Sequence, residues 1–151
     1  MRRAAAALLF LALPVLAAAQ RSASLMSVTA AANPASVAAG GSFTLTIEGT
    51  IAAGWHVNAH KPSEDYLIPT EAKITAPAGL SFSDLAYPAA QMVKFSFSEK
   101  PLAVYAGKFR ITGTGAVPKG AAPGAKTIEG ALSFQPCHDQ QCLAPASVPF
   151  R

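Results

Sequence analysis

The chain has 151 residues, is 51% hydrophobic and 13% charged, and sets 12 Lys and Arg against 8 Asp and Glu for a formal net charge of +4. A length of this order makes one domain with a sizeable core and excludes a large multidomain enzyme; a channel and a coiled coil lack the apolar spans or heptads they need. The basic residues are scattered, which argues against a surface that tracks a phosphate backbone, so nucleic acid is not an expected partner.

Taken in chain order, Met1-Arg2-Arg3 is a short positive segment, and the 16 residues from Ala4 to Ala19 are apolar throughout. With Ala17-Ala18-Ala19 before Gln20, this is the n-region, h-region and small-residue cleavage site of a secretory signal. The run is shorter than the ~20 residues of a membrane span, and Pro14 interrupts it. Cleavage is expected after Ala19, leaving a single domain over residues 20–151. No cysteine lies near that site to carry a lipid anchor. Removing the signal brings the apolar share into the ordinary ~45–50% range. Ten basic residues then face eight acidic ones.

Beyond the signal no helical stripe runs unbroken, and short alternating segments dominate. Ser42–Thr50 puts Phe43, Leu45 and Ile47 on one face and Thr44, Thr46 and Glu48 on the other. Such a period of two means one buried and one wet face. Phe109–Ala116 and Thr127–Gln135 read the same way. Weaker strands are expected at Ser24–Ala30, Trp55–Asn58, Glu71–Ala76, Leu80–Leu85, Leu102–Tyr105 and Ala146–Phe150. Gly40-Gly41, Gly49-Thr50, Pro77-Ala78-Gly79 and Pro118-Lys119-Gly120 supply turn chemistry between them. About seven to nine strands, no helix and frequent turns predict an immunoglobulin-like β-sandwich. The weakest strand signal lies in 59–69 and 87–101, and long loops on a β scaffold are where function concentrates. Trp55 is expected in the core. Tyr66, Tyr87 and Tyr105 read as packing residues with wet hydroxyls. No nucleophile elbow is present, and Glu64-Asp65 reads as a solvated pair.

The chemical signal is Gln135-Pro136-Cys137-His138-Asp139-Gln140-Gln141-Cys142-Leu143-Ala144-Pro145, which holds both cysteines of the chain. In an exported protein two cysteines so placed are expected to pair. Closing a ring of about six residues removes only ~2.2 kcal/mol of unfolded-state entropy, near the low end for disulfides. A stabilising staple gains more by joining distant strands, whereas a bridge at one hairpin tip can open without unfolding the sandwich. Both a structural and a reactive bond fit these facts. A charged His138 would favour a Cys137 thiolate, and Asp139 would oppose it. A Cys₂His₂ metal set from Cys137, Cys142, His138 and either His56 or His60 lacks the paired short motifs of zinc sites, so no metal is expected.

These residues belong to a wider pattern. Gly54-Trp55-His56-Val57-Asn58, Tyr66-Leu67-Ile68-Pro69-Thr70, Tyr87-Pro88, Val104-Tyr105-Ala106-Gly107 and the tip Gln135-x-Cys137-x4-Cys142-x2-Pro145 occur in that order. Over residues 27–150 the chain resembles the N-terminal periplasmic domain of the DsbD-type thiol:disulfide interchange proteins. The resemblance implies an immunoglobulin-like sandwich with one redox-active cysteine pair and no cofactor. It implies a protein-disulfide reductase or interchange component that takes electrons from a thioredoxin-like domain. Those electrons pass to oxidised periplasmic partners such as disulfide isomerases and cytochrome c maturation thioredoxins. It further implies that Cys142 forms the mixed disulfide and Cys137 resolves it, and that a cap loop covers the pair with an aromatic ring, here Phe95 or Phe97 within 91–100. His56 and Asn58 match a strand lining the family's active site, and His138 adjoins it. Full-length members continue into a membrane domain and a second thioredoxin-like domain. The sequence stops at Arg151, so a separate membrane electron carrier or thioredoxin is expected as electron source. The alternative is a non-redox sandwich, a binding or envelope interaction domain with a structural disulfide.

Overall fold

The structure, a computed structural model, describes residues 21–151. The expected signal at 1–19 and its cleavage point lie outside the described residues. In chain order the strands are β1 Met26–Asn33, β2 Ser42–Ile51, β3 His56–Asn58, β4 Glu71–Thr75, β5 Ser81–Phe82, β6 Gln91–Val93, β7 Leu102–Ala106, β8 Lys108–Ala116, β9 Glu129–Phe134, β10 Pro136–Cys137 and β11 Ala146–Phe150. They pair antiparallel throughout and form three sheets, ordered β1-β2-β8-β5, β10-β3-β7-β6 and β11-β9-β4. The fold is an all-β, immunoglobulin-like sandwich. Its inner faces share one apolar core that includes Phe43, Leu45, Ile47, Ile111, Leu132 and Phe134.

The alternating segments fold as their period dictates. Along β2 the burial alternates, with Phe43, Leu45, Ile47 and Ile51 inside. Its neighbour β8 answers with Gly115 opposite Phe43, Gly113 opposite Leu45, Ile111 opposite Ile47 and Phe109 opposite Gly49. Large residues on one strand therefore face small ones on the other. The same device recurs where Phe150 of β11 faces Gly130 of β9. A β-carbon at Gly49 would stand 2.6 Å from Phe109 Cζ, and one at Gly115 would collide with the ring of Phe43. These glycines exist because an aromatic ring lies across the backbone at each of them.

Several expectations are corrected. Gly49-Thr50 is no turn but the interior of β2, since the ring of Phe109 demands a glycine there. The reversal comes later, where the Trp55 N–H donates to the Ala52 carbonyl at 3.1 Å and Gly54 takes φ +81°. Among the described residues there are eleven strands rather than seven to nine. The additional ones, β6 inside the expected loop 87–101 and β10 at the first cysteine, have two or three residues, too few to show a period. One helical turn at 21–23 breaks the expected absence of helix.

Strands β3 and β7, at the centre of their sheet, differ from the strands of the other two sheets in being buried on both faces, while β6 at the edge stays largely exposed. His56, Val57 and Asn58 are all buried, as are Leu102, Ala103, Val104 and Tyr105. Val57, Ala103 and Tyr105 face the main core. Leu102 and Val104 face the other way and form a second cluster with Phe95, Leu67 and Val93.

The ring-over-glycine pairs make a coupling prediction. Gly115→Ala is expected to cost about 1–3 kcal/mol through overpacking. In combination with Phe43→Leu, which makes room, the loss should fall short of the summed single losses by more than ~0.5 kcal/mol. Urea unfolding of the two single variants and the double variant measures this. Additive losses would show that the ring and the glycine do not constrain each other.

Candidate functional site

The candidate site is built on a hairpin one strand away from β3. After β10 the chain turns back at once, and Cys137 and Cys142 face each other across an antiparallel bridge. Their pair is bracketed by His138 N–H donating to the Gln141 carbonyl at 3.0 Å and Leu143 N–H donating to the Pro136 carbonyl at 2.9 Å. Such brackets define a non-hydrogen-bonded pair, the position where cross-strand side chains come closest. The Cα atoms lie 4.0 Å apart and the sulfurs are joined at 2.02 Å. The Gln135 side-chain amide ties the returning strand by donating to the Leu143 carbonyl at 3.1 Å. The two cysteines are unequal, since Cys137 is 1% exposed while Cys142 is an exposed residue. With both sulfurs joined to each other, neither is available to the Cys₂His₂ metal set weighed above. Among the described residues no cluster of three or more His, Cys, Asp or Glu is placed to hold a metal ion.

Register decides which side chains surround the pair. Cys137 lies directly opposite His56. His56 is 6% exposed, and the Phe95 ring stacks on it at 4.1 Å between centroids with planes 16° apart. Phe97 stacks on Phe95 in turn, at 5.3 Å. Phe95 is 7% exposed and Phe97 is 49% exposed, so the first is the inner ring and the second the outer. A turn closed by Ser98 N–H donating to the Phe95 carbonyl at 3.2 Å shapes this loop. The Lys94 amine donates to the Ser98 carbonyl. The Ser96 hydroxyl donates to the Asp139 carbonyl at 3.3 Å and so joins the loop to the cysteine hairpin.

His138, although next to Cys137 in sequence, turns the opposite way, because successive strand residues point to opposite faces. Its ring meets the edge of Trp55 at 4.7 Å, and Trp55 is correspondingly the neighbour of His56. The His138 Nδ1 accepts from the Gln140 N–H at 3.2 Å. Trp55 is therefore not a simple core residue as expected. It is half-buried, packs on the core and supports the back of the hairpin.

Asn58 lies on the His56 face but serves the adjoining loop. Its side chain donates to the Ile68 carbonyl at 3.0 Å, and its own carbonyl accepts from the Thr70 hydroxyl at 2.6 Å. Two tyrosine expectations are also corrected. Tyr105 is buried and its hydroxyl is not wet, since it accepts from His60 N–H at 3.2 Å and donates to the Pro88 carbonyl at 3.2 Å. Tyr66 does not pack, being 77% exposed. Tyr87 accepts from Ala72 N–H at 3.0 Å and stacks on His60. Sequence reasoning did not single out Ser96 and Leu67 as parts of the cover over β3 and β7. Their signal was position, Ser96 within the expected cap loop 91–100 and Leu67 within the motif Tyr66-Leu67-Ile68-Pro69-Thr70.

Burial holds the His56 imidazole below its ordinary pKa of 6.5, with nearby Asp139 pulling up and His138 pushing down. The ring is thus neutral at pH 7, a proton acceptor rather than a fixed cation.

No curated protein matches the chain. Among solved structures, the N-terminal domain of Neisseria meningitidis DsbD in the reduced form is similar with a TM-score of 0.45 at 15% identity, over 70% of this chain and 73% of that one. The N-terminal periplasmic domain of ScsB from Proteus mirabilis gives a TM-score of 0.47 at 15% identity, over 82% of this chain and 43% of that one, so the chain spans less than half of that protein's length. The family model described as thiol:disulfide interchange protein DsbD, N-terminal, matches residues 22–149, which reach from before β1 into β11. The chain belongs to the family of N-terminal domains of the thiol:disulfide interchange protein DsbD.

Proposed function

We propose that this domain is a periplasmic thiol–disulfide relay module that carries reducing equivalents from a thioredoxin-like donor to oxidised envelope proteins through the Cys137–Cys142 pair. The observation that carries the reading is the inequality of the two cysteines, one buried beneath the sheet's cover and one exposed at the hairpin's return. In the loading direction a donor thiolate attacks Cys142 Sγ, a donor–Cys142 bond forms, and the electron pair of the broken S–S bond leaves on Cys137. The donor's second thiolate then attacks its own sulfur in that mixed disulfide and releases Cys142 as thiolate. Delivery runs the same steps backward with an oxidised partner, and Cys137 resolves the mixed disulfide. Both electrons stay on sulfur, so the exchange needs no cofactor.

The bridge closes only the hairpin tip, and so its opening leaves the sandwich core intact. Phe95 is the capping ring in this reading, with Phe97 as its outer layer and the Ser96–Asp139 hydrogen bond as the point where the cap rests on the hairpin. The partners belong to the thioredoxin-like class, with a disulfide isomerase or a cytochrome c maturation thioredoxin on the receiving side. The signal sequence, cleaved after Ala19, brings the domain to the periplasm. No helix among the described residues is long and apolar enough to cross a membrane. A membrane electron carrier would supply the electrons.

Glutathione or dithiothreitol titration tests the redox role. A relay bond should equilibrate well above about −300 mV, whereas a value below that marks a structural bond and leaves a non-redox interaction domain as the better reading. The roles of the two sulfurs are tested by trapping. Cys137→Ala should accumulate a mixed disulfide through Cys142 with a thioredoxin-like partner, at a rate at least about tenfold above that of Cys142→Ala, because access governs exchange. Trapping mainly through Cys137 would reverse the assignment.

A further inference from the structure

The relay leaves one chemical problem at the buried sulfur. To close the disulfide and release a partner, Cys137 must attack as a thiolate, yet burial in apolar surroundings raises a thiol's pKa and keeps its proton on. Some neighbouring group has to accept that proton. His138, the nearest histidine in sequence, faces away from Cys137 toward Trp55, and its Nδ1 already accepts from Gln140 N–H. His60 lies against Tyr87 with its Nδ1 at 3.3 Å from the Thr70 carbonyl. His56 differs from both. It is the direct cross-strand partner of Cys137. Directly opposed side chains have Cβ atoms about 5 Å apart. Among the described residues neither of its ring nitrogens hydrogen-bonds to another protein group.

Resting on the relay reading above, we propose that His56 is the general base for Cys137 in the resolving step. With a partner sulfur joined to Cys142, the neutral His56 imidazole takes the proton of the Cys137 thiol. The Cys137 thiolate attacks Cys142 Sγ, the Cys137–Cys142 bond forms, and the Cys142–partner bond breaks with its electron pair on the partner sulfur. His56 then returns its proton to water. In the reverse step the imidazolium gives a proton to the departing Cys137 thiolate, so charge never remains buried.

The surroundings suit that task. Asp139 on the hairpin stabilises the transient imidazolium, while His138 on the same hairpin opposes it when charged. The groups packed against His56 from the cap and from β7 are Phe95 and Ala106, neither of which titrates. The Lys94 amine at the base of the cap loop is held by the Ser98 carbonyl. The ring stack fixes the imidazole plane without occupying a nitrogen.

The test uses the reduced domain and an excess of the small disulfide 5,5′-dithiobis(2-nitrobenzoate) in a stopped-flow spectrometer. The first thiolate release reports attack by Cys142, and the second reports resolution by Cys137. His56→Gln and His56→Phe, the latter retaining an aromatic ring to stack on Phe95, should each slow the second phase about tenfold or more at pH 7. The deficit should shrink toward pH 9, where hydroxide ionises Cys137 unaided, and the first phase should change less than twofold. A second phase that stays unchanged, or that slows equally at both pH values, overturns the assignment. The equilibrium potential plays no part in that ratio of rates. A low potential would sink the relay reading alone, and an unaltered pH profile would sink the base alone.

Discussion

The constraint on which the rest of this structure depends is that the β3–β7 pair at the centre of the β10-β3-β7-β6 sheet must be dry on both faces. Its inner face supplies Val57, Ala103 and Tyr105 to the common core, while its outer face carries Leu102 and Val104, which no second sheet covers. Apolar surface of this kind is worth roughly 25 cal/mol per Å² when removed from water. The chain removes it with loop segments instead of a strand, laying Leu67 from one side and Phe95 from the other over the exposed face. Loops used as a lid must themselves be anchored. Asn58 and Thr70 pin one of them, and Ser96 rests the other on the cysteine hairpin. The position and burial of Cys137 at the tip follow from this cover.

Electrostatics follow from the same dryness. His56 and Cys137 share the covered face, where burial favours the neutral imidazole and low polarity in general favours the neutral form of an ionisable group. Two neutral neighbours can exchange one proton without creating a lasting buried charge, whereas a carboxylate in place of His56 would have to be desolvated while ionised. Cys142 has no such problem, because it lies on the exposed return of the hairpin, where water can solvate a thiolate. In the proposed relay, the division of labour between the two sulfurs is a consequence of which hairpin strand is tucked against β3.

Much of this was legible in the sequence, for identifiable reasons. β2, β8, β9 and β11 show period-two alternation or β-rich composition because one face of each is wet, and their bounds shift by only a residue or two from those expected. The double burial of β7 has its cause in the uninterrupted apolar run Leu102-Ala103-Val104-Tyr105, which was expected only as a weaker strand. What could not be read were facts about register. The pairing of His56 with Cys137 joins residues far apart in sequence, and nothing in either segment announces it. By sequence both His56 and His138 were expected at the site, but the alternation of side chains across β10 places only His56 on the face of Cys137 and turns His138 to the other. Gly49 resembled a turn because glycine marks turns and close approaches alike, and only the ring of Phe109 tells the two apart. The order of Phe95 and Phe97 above the site depends on how one short turn is closed, which local composition does not encode.

The two apolar clusters explain how such a site can work without endangering the fold. Phe95, Leu102 and Val104, with Leu67 and Val93, form a group separate from the main core, in which rings set over glycines lock β2 to β8 and β9 to β11. Close-packed aromatic–glycine pairs leave little freedom to shift, since interiors packed in this way transmit strain instead of absorbing it. The cover, by contrast, is small, built on loops, and held to the hairpin at one point by a single hydroxyl. Local opening draws on regions with few buried apolar contacts and exposed hydrogen bonds, and the cover meets that description while the core does not. In the proposed relay, a partner docking at the tip would displace Phe95 and Phe97 for the loss of one small cluster. Breaking the disulfide frees only a tight hairpin already tied by Gln135 and by the strand bonds at His138 and Leu143. Separating the cluster that shields the sulfur from the cluster that holds the sandwich lets accessibility change at the tip while stability is set elsewhere.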